Sequence, residues 1–431
     1  MISSASVQSP DVTTRAAPQA PDILPLRALG RVVAALAVIW VALIAVTAAG
    51  WMKLEDSDGS TSMLFMWWAV FSFVPFWAAV RPSPRAGVLS ASAALGLTAL
   101  LGLAAPQLWP YAPLLGSGLA CLGALTLYAT RGPSTHRTRS RYALLTGLLT
   151  CLYVLLSGFP LSWSVQISSH PVDFLTYAGD EALGGQFSQS VETLFLASPV
   201  LAQICFHVYH AVALGLAAVL AWQIAVHERP ARATVLTFFI AGALGHVFYT
   251  LFPVIGPRFL FGLEGPLVST TSVFPSVVPS SAALVMPTVI PGVPRNCMPS
   301  LHTAWALLVF WQSRSFGRRG ILFGAPFLVL TALATLGFAL HYLVDLIAAV
   351  PFAVAIHAFF TPRSTDIEQE RRQALVAGGL GFLAWVLLLR FGTSLLLSST
   401  VLSWALAAVV CIPALVLEVR LYRRRSAPQG P

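Results

Sequence analysis

Two short segments in the second half of the chain carry residue types that together can transfer a phosphoryl group. The first runs from Arg295 through Ser300 to His302, and the second runs from His341 to Asp345. A histidine four residues before an aspartate on one helix shares a face with it, so the carboxylate can hold the imidazole in a single tautomer. A nucleophilic histidine oriented in this way, a second histidine as proton donor and arginines on the phosphoryl oxygens would suit covalent phosphoryl transfer.

The first segment also predicts a helix start that suits an anion. Pro299 fits the first position of a helix, because its missing N–H is harmless there and its φ is preset. Ser300 and His302 would then lie in the first turn, beside unpaired backbone N–H groups and the positive end of the helix dipole. Such a helix start binds phosphate readily.

The composition sets the environment of these groups. Of 431 residues, 57% are hydrophobic and only 10% are charged, whereas a soluble domain carries about 25% charged residues. The sequence therefore predicts an integral membrane protein. The apolar residues occur in long uncharged runs, so we expect an all-α polytopic helix bundle, because a transmembrane barrel would show short alternating segments.

The apolar runs predict about twelve membrane spans, and Pro299 and His341 each begin one of them. The predicted spans are 32–51, 63–80, 86–105, 111–130, 142–159, 200–226, 233–252, 299–313, 321–340, 341–360, 374–389 and 395–417. We expect residues 1–31 to be a disordered cytoplasmic N-terminus and 32–195 an accessory transmembrane region with an outer loop. Residues 196–362 would form a six-helix catalytic core, followed by two spans and a basic tail over 363–431.

The distribution of basic residues predicts the orientation of the chain. On this span map 21 of the 25 Lys and Arg residues lie on one side and 4 on the other. Cytoplasmic loops collect basic residues, so both termini are expected in the cytoplasm, with His341 and Pro299 at the extracytoplasmic face of the cytoplasmic membrane. The basic residues are confined to short loops, which argues against a nucleic-acid partner.

Two long outer loops stand out. The loop 253–298 contains Arg258 and Arg295, which the orientation rule does not explain. The loop 160–199 has no basic residue but carries four acids interleaved with aromatic residues, and we expect a helix lying along the outer leaflet there. The acids are Asp173, Asp180, Glu181 and Glu192.

At this point the sequence resembles the type 2 phosphatidic acid phosphatase superfamily. Pro-Ser-x-His and a later His-x-x-x-Asp are among its signature blocks, and they stand here at 299–302 and 341–345. The residues around these two motifs, together with Leu-Phe-Pro-Val-Ile-Gly-Pro-Arg at 251–258, are most similar to the inositol phosphorylceramide synthase branch. The resemblance covers about residues 200 to 360.

The resemblance implies a role for each residue of these blocks. His341 would form a phosphoenzyme with support from Asp345, and His302 would protonate the leaving group. Ser300 and Arg258, with Arg295 as a further candidate, would bind the phosphoryl group. Two departures from the family pattern concern positive charge: Thr335 stands where the third block usually has Arg, and the first block is not found.

The implied function is a metal-independent lipid phosphotransferase without a cofactor. It would pass a phosphate-containing headgroup from a lipid phosphate or phospholipid donor to a hydroxyl acceptor, either a lipid or a polyol. A lipid phosphatase, with water as the acceptor, shares the first step and remains open. No metal-ligand spacing is present, and the five cysteines are scattered.

Less specific interpretations stand beside these. For Ser300 the alternative is a helix cap alone, for Arg258 a headgroup contact, and for Arg295 a solvated side chain. His207, His210 and His246 could line a lipid entrance or form interhelical hydrogen bonds. A transporter would also explain many spans with embedded histidines, although Asp345 is the only acid found within a predicted span.

Overall fold

The structure is a computed structural model that describes residues 25–48, 59–168, 170–262, 267–284 and 293–426. Within these ranges the chain forms helices and connecting loops and contains no strand, which confirms the all-α helical bundle. Most of the expected N-terminal segment, residues 1–24, lies outside the described residues.

The N-terminal part of the described chain contains six helices. They are α1 (Leu26–Ala48), α2 (Gly59–Phe71), α3 (Phe73–Val80), α4 (Pro84–Ala104), α5 (Ala112–Arg131) and α6 (Ser134–Ile167). Helices α4 and α5 pack against each other, and only 11% of the apolar window of α4 is buried inside the protein. An apolar helix with so little buried surface is suited to face lipid.

The remaining helices include those that carry the candidate site. They are α7 (Asp173–Ala182), α8 (Phe187–Ala197), α9 (Pro199–His210), α10 (Val212–His227), α11 (Arg232–Leu251), α12 (Pro257–Leu260), α13 (Leu301–Ser313), α14 (Gly317–Gly337), α15 (Leu343–Phe360), α16 (Glu368–Phe391), α17 (Thr393–Leu397) and α18 (Thr400–Ser426). Short 3₁₀ turns cover Pro106–Tyr111, Ser281–Ala283 and Arg314–Phe316.

Helix α15 is the centre of the bundle. Its sequence is apolar on all sides, as expected for a helix surrounded by others, and 72% of its apolar window is buried inside the protein. It packs against α11, α13, α16 and α18. The indole of Trp385 on α16 donates to the carbonyl of Val344 at 3.0 Å, which fixes α16 against the first turn of α15.

The number of membrane spans differs from the prediction. Eight helical segments of the described chain are long and apolar enough to cross a membrane, or nine if the bent pair α8 and α9 forms one span. The expected count of about twelve is therefore not confirmed. The predicted span 63–80 is interrupted at Ser72, and the predicted span 200–226 is interrupted at Ala211. At 16 residues, α10 is about 24 Å long, which is shorter than the hydrocarbon core.

The outer segment 160–199 contains the end of α6 and two short helices. Helix α6 continues to Ile167, α7 and α8 follow, and α8 meets α9 at a bend of 119°. Asp173 and Asp180 are fully buried, and Glu192 is 5% exposed. These three acids therefore do not form the water-facing side of an amphipathic helix, and the position of α7 and α8 along the outer leaflet stays a prediction.

Candidate active site

His341 and Asp345 meet at the start of α15, by a geometry different from the one predicted. His341 lies in the loop before the helix, Tyr342 is the N-cap, and Asp345 is in the first turn. The Asp345 Oδ2 accepts a hydrogen bond from the Tyr342 backbone N–H at 2.9 Å and lies 3.4 Å from His341 Nδ1. The two side chains therefore come together through the helix cap and not through a shared helix face, and His341 Nε2 is left as the nitrogen that could attack.

The start of α13 adjoins the start of α15. Ser300 is the N-cap of α13, and its Oγ accepts a hydrogen bond from the Thr303 backbone N–H. The Ser300 backbone N–H donates to the Asp345 carbonyl at 3.2 Å, which joins the two helix starts. Pro299 was expected at the first helical position but precedes the cap, after a cis peptide bond. The capping role of Ser300 is thus present, and its phosphate role stays a prediction.

His302 lies in the first turn of α13, against an aromatic wall. Its ring stacks on Tyr209 with centroids 4.0 Å apart, and Phe65 lies 5.6 Å away. Its Nε2 is buried without a hydrogen-bond partner among the described residues, and the ring lies within electrostatic range of His341 and His210. A buried polar nitrogen of this kind normally has a partner, so a bound substrate is a reasonable one.

Arg258 reaches the site from α12, a single turn that the loop 253–256 leads into. Arg258 is buried, and its backbone N–H donates to the Ala339 carbonyl at 2.8 Å. Gly256 has φ +88°, and a Cβ at this position would lie 2.4 Å from the Leu340 carbonyl oxygen. Only glycine allows this close approach, which brings Arg258 beside the loop that carries His341.

A small cavity of about 20 Å³ lies next to Arg258. Its lining includes Arg258, Glu192 and apolar groups such as Phe195 and Phe338, and it does not include either histidine of the site. At this volume it has room for about one water molecule.

Arg295 is not solvated, so that alternative interpretation is wrong. It is 1% exposed, its Nε donates to the Ser168 carbonyl at 3.3 Å and its Nη1 donates to the Val293 carbonyl at 2.6 Å. Its backbone N–H donates to Ser164 Oγ at 3.1 Å. These contacts tie the loop before α13 to the end of α6. Binding of phosphate by Arg295 stays a prediction.

Thr335, which occupies the place of the usual arginine, supports the His341 loop through its backbone. Its carbonyl accepts from the backbone N–H groups of Leu340 and His341, both at 3.2 Å. Ser188 on α8 donates its hydroxyl to the His341 carbonyl. These three contacts to the His341 loop all come from neutral groups. Compensation for the missing arginine by Arg258 stays a prediction.

Cys297, His341 and Asp345 offer three ligand atoms within 4.8 Å of one another, which sequence spacing did not suggest. The Cys297 thiol donates to the Leu340 carbonyl at 3.0 Å, and burial raises the pKa of this thiol well above its usual range. Metal ligands of this type are thiolates, so a protonated, hydrogen-bonded thiol fits a metal site poorly. We keep the metal-independent reaction as a prediction.

The other histidines have separate roles. His210 and His246 bond through Nδ1 to backbone carbonyls of their own helices, Phe206 and Gly242, both at 2.7 Å, and not between helices as considered. His357 pairs with Glu418 on α18 at 2.8 Å, and Arg314 pairs with the same carboxylate. Glu418 is a buried acid within a candidate span that the sequence interpretation missed, because the predicted span ended one residue earlier.

Sequence reasoning also missed the function of Asp173 and Asp180 on α7. Both accept hydrogen bonds from the backbone of the site loops. The sequence did offer one signal, since the loop 160–199 contains four acidic residues and no Lys or Arg, which is unusual for a segment near a membrane.

The comparison with known families agrees with the position of the site. Residues 176–359 match the family model described as the PAP2 superfamily. This segment contains the six predicted site residues, and it begins within α7, before Asp180. The match supports the resemblance to the type 2 phosphatidic acid phosphatase superfamily for this part of the chain, whereas the inositol phosphorylceramide synthase branch is not confirmed. No curated protein and no solved structure matches the chain.

Proposed function

We propose that this membrane protein is a lipid phosphotransferase that works through a phosphohistidine on His341. The observation that carries the proposal is the junction of the two helix starts. There His341 Nδ1 lies 3.4 Å from Asp345 Oδ2, and the Ser300 amide bonds the Asp345 carbonyl. The superfamily match independently favours phosphatase-type or phosphotransferase-type activity on a lipid substrate.

In the first half-reaction, His341 Nε2 attacks the phosphorus of the donor lipid. The P–O bond to the lipid alkoxide breaks, and the new P–N bond leaves the imidazole positively charged, because Nδ1 keeps its proton. Asp345 stabilises this charge. His302 gives its proton to the leaving alkoxide, which departs as an alcohol.

In the second half-reaction, a hydroxyl of the acceptor attacks the phosphorus and the P–N bond breaks. His302, now neutral, takes the hydroxyl proton, and His341 returns to its starting form. Arg258 would neutralise the phosphoryl oxygens in both steps. Ser300 would add its hydroxyl and the first-turn amides of α13.

The burial of the nucleophile favours transfer over hydrolysis. His341 is 3% exposed, and the 253–258 and 295–300 loops bond to the backbone carbonyls of Ala339 and Asp345 on either side of it in the sequence. A phosphohistidine in such a site is shielded from bulk water, so an acceptor bound in the site can compete with water. Hydrolysis by a lipid phosphatase remains the second candidate, because the superfamily resemblance includes it.

We further propose the topology expected from the basic residues, with both termini in the cytoplasm of a cell whose inner membrane holds the protein. The site would then face the extracytoplasmic side, where no nucleotide donor is needed, since the donor is itself a membrane lipid. The transporter alternative is less favoured, because the buried Glu418 is paired with both His357 and Arg314.

The test uses purified protein in lipid vesicles with a lipid phosphate labelled in the phosphoryl group. Diacylglycerol, ceramide or a soluble polyol is added in separate arms. We expect a new labelled phospholipid or polyol phosphate when the correct acceptor is present. Release of free phosphate in every arm would instead identify a phosphatase, and no reaction in any arm would contradict both. His341→Ala should be inactive, whereas His227→Ala, which removes an exposed histidine, should not.

A further inference from the structure

Asp180 caps the helix that carries Asp345. Its Oδ2 and Oδ1 accept hydrogen bonds from the backbone N–H groups of Leu343 and Val344, each at 3.0 Å. These are the first two residues of α15, whose amides would otherwise lack partners. Asp180 is fully buried and comes from α7, 163 residues earlier in the chain than Leu343. A helix N-terminus favours a negative charge at this position.

Asp173, at the other end of α7, connects the loop before α12 to the loop before α15. Its Oδ2 accepts from the Ile255 N–H at 2.9 Å, and its Oδ1 accepts from the Gly256 N–H at 2.8 Å and from the Tyr342 hydroxyl at 3.0 Å. Gly256 lies two residues before Arg258, and Tyr342 directly follows His341. One buried carboxylate therefore sets the distance between the loop of the candidate phosphate ligand and the loop of the nucleophile.

Both carboxylates lie within electrostatic range of Asp345. Burial raises the pKa of Asp173 to about 7 and raises that of Asp180 well above its usual range, and the hydrogen bonds from backbone amides oppose the increase in both. All the groups that contact these oxygens are donors, an arrangement that stabilises the ionised form. The negative charge around His341 therefore grows as the pH rises through neutrality.

We propose that Asp173 and Asp180 are positioning residues that hold the nucleophile loop and help to stabilise the positive charge of phosphorylated His341. The inference rests on the proposed function, because the imidazole gains this charge only when Nε2 bonds to phosphorus. Protonation of the His341 imidazole is a second way to place a positive charge at this point, so its titration gives an observable that does not depend on turnover.

The other charged or titratable groups that face His341 come from every neighbouring element. They are Asp345 of α15, Tyr342 at its cap, Cys297 of the loop before α13 and His302 of α13, while Arg258 of α12 joins the same loop through its backbone N–H. Asp180→Asn changes none of these groups. It preserves the shape of the side chain but removes its charge and turns one of the two backbone acceptors into a donor.

The experiment compares wild type, Asp180→Asn, Asp180→Glu and the control Glu181→Gln. Glu181 lies on the same helix, and its carboxylate accepts from the Ser281 N–H and not from α15. The titration of the His341 imidazole is followed by NMR in protein labelled on histidine, with His341→Gln used to assign the signal. In parallel, phosphoenzyme formation from a labelled lipid phosphate is measured between pH 5 and 9.

We expect Asp180→Asn to move the His341 titration midpoint to lower pH, because the variant removes a negative charge at the start of α15. Phosphoenzyme formation should slow by about 10-fold to 100-fold, with its acidic limb moved in the same direction. Asp180→Glu should keep the midpoint near that of wild type, and Glu181→Gln should change neither quantity. If Asp180→Asn does not yield folded protein, Asp173→Asn takes its place, with a shift expected in the same direction.

An unchanged midpoint in Asp180→Asn or Asp173→Asn would overturn the inference, even if activity fell, because a purely structural role lowers activity without moving the titration. If wild type forms no phosphoenzyme but the midpoint still shifts, the proposed function fails, and the charge coupling of α7 to His341 stands by itself. The two failures are thus distinguishable.

Discussion

Replacement of Asp345 by asparagine tests the catalytic pair with the least change of shape. Asp345→Asn keeps an oxygen for the Tyr342 amide but removes the charge that lies 3.4 Å from His341 Nδ1. At this separation, and with an effective dielectric constant of about 20, two unit charges attract by about 5 kcal/mol. The neutral amide dipole retains part of this attraction, so we expect a loss of about 3 to 4 kcal/mol in the transition state, or a 10²-fold to 10³-fold slower phosphorylation.

The rate is measured by rapid quench, with a labelled lipid phosphate at saturating concentration and one turnover per active site. Asp345 Oδ1 is buried without a hydrogen-bond partner in the described part of the chain, so an amide nitrogen there adds an unpaired donor and costs about 1 to 3 kcal/mol of stability. Thermal unfolding is therefore recorded alongside, and rates are compared only where the variant is folded. A phosphorylation rate within fivefold of wild type would refute the reasoning.

Four further perturbations probe other parts of the account. Gly256→Ala combines a positive φ with a carbonyl oxygen 2.4 Å from the new Cβ, and should lower stability by more than about 2 kcal/mol; the control Gly262→Ala has φ +74° with no atom within 4 Å and should lose less by thermal unfolding. His302→Ala should slow turnover of a lipid phosphate far more than that of an activated aryl phosphate, because only the poor leaving group needs a proton; an equal loss on both would assign His302 to phosphate positioning. Because the pKa of Asp173 is raised to about 7 in the folded state, folding takes up a proton between about pH 4 and 7. The free energy of unfolding of wild type should therefore fall as the pH rises through this window, by up to about 1.4 kcal/mol per pH unit more than that of Asp173→Asn. Parallel pH dependences for the two proteins would contradict this. Cysteines introduced at described positions of 259–293 should react with impermeant thiol reagents in intact cells, and labelling only after permeabilisation would reverse the proposed topology.

The residues of the candidate site could be selected from the sequence, because each histidine carries its own local signal. His302 follows a Pro-Ser pair ahead of an apolar run, and His341 precedes Asp345 by four residues at another such start. Two helices that start on the same side of a membrane have their first turns at the same depth, so the sequence predicts that His302 and His341 lie close together. The structure joins them through the Ser300 amide and the Asp345 carbonyl.

The local geometry of His341 and Asp345 was less predictable, because their four-residue spacing fits more than one backbone arrangement. A four-residue spacing suits both a helix face and a helix cap, and the structure adopts the cap, with Tyr342 between His341 and the first helical residue. The breaks at Ser72 and Ala211 were also hidden, since both lie inside continuous apolar runs. Hydropathy measures where a chain can enter a membrane and not where a helix bends.

The role of α7 could not be inferred from local pattern at all. Acids that alternate with aromatic residues fit an amphipathic surface helix as well as a buried one. The contacts that decide between them are long-range, since Asp173 bonds a tyrosine 169 residues further along the chain. Only the packed fold shows that these acids satisfy the amides of the site loops.

The central claim is that His341 carries the phosphoryl group, and one measurement tests it most directly. Protein is mixed with a lipid phosphate labelled on the phosphoryl group, quenched in alkali after one turnover and digested, and the labelled peptide is sequenced by mass spectrometry. The account predicts a label that is stable in alkali, lost in acid, located on His341 and absent from His341→Ala. A label on another residue, or turnover of the lipid by His341→Ala at a rate near that of wild type, would contradict it.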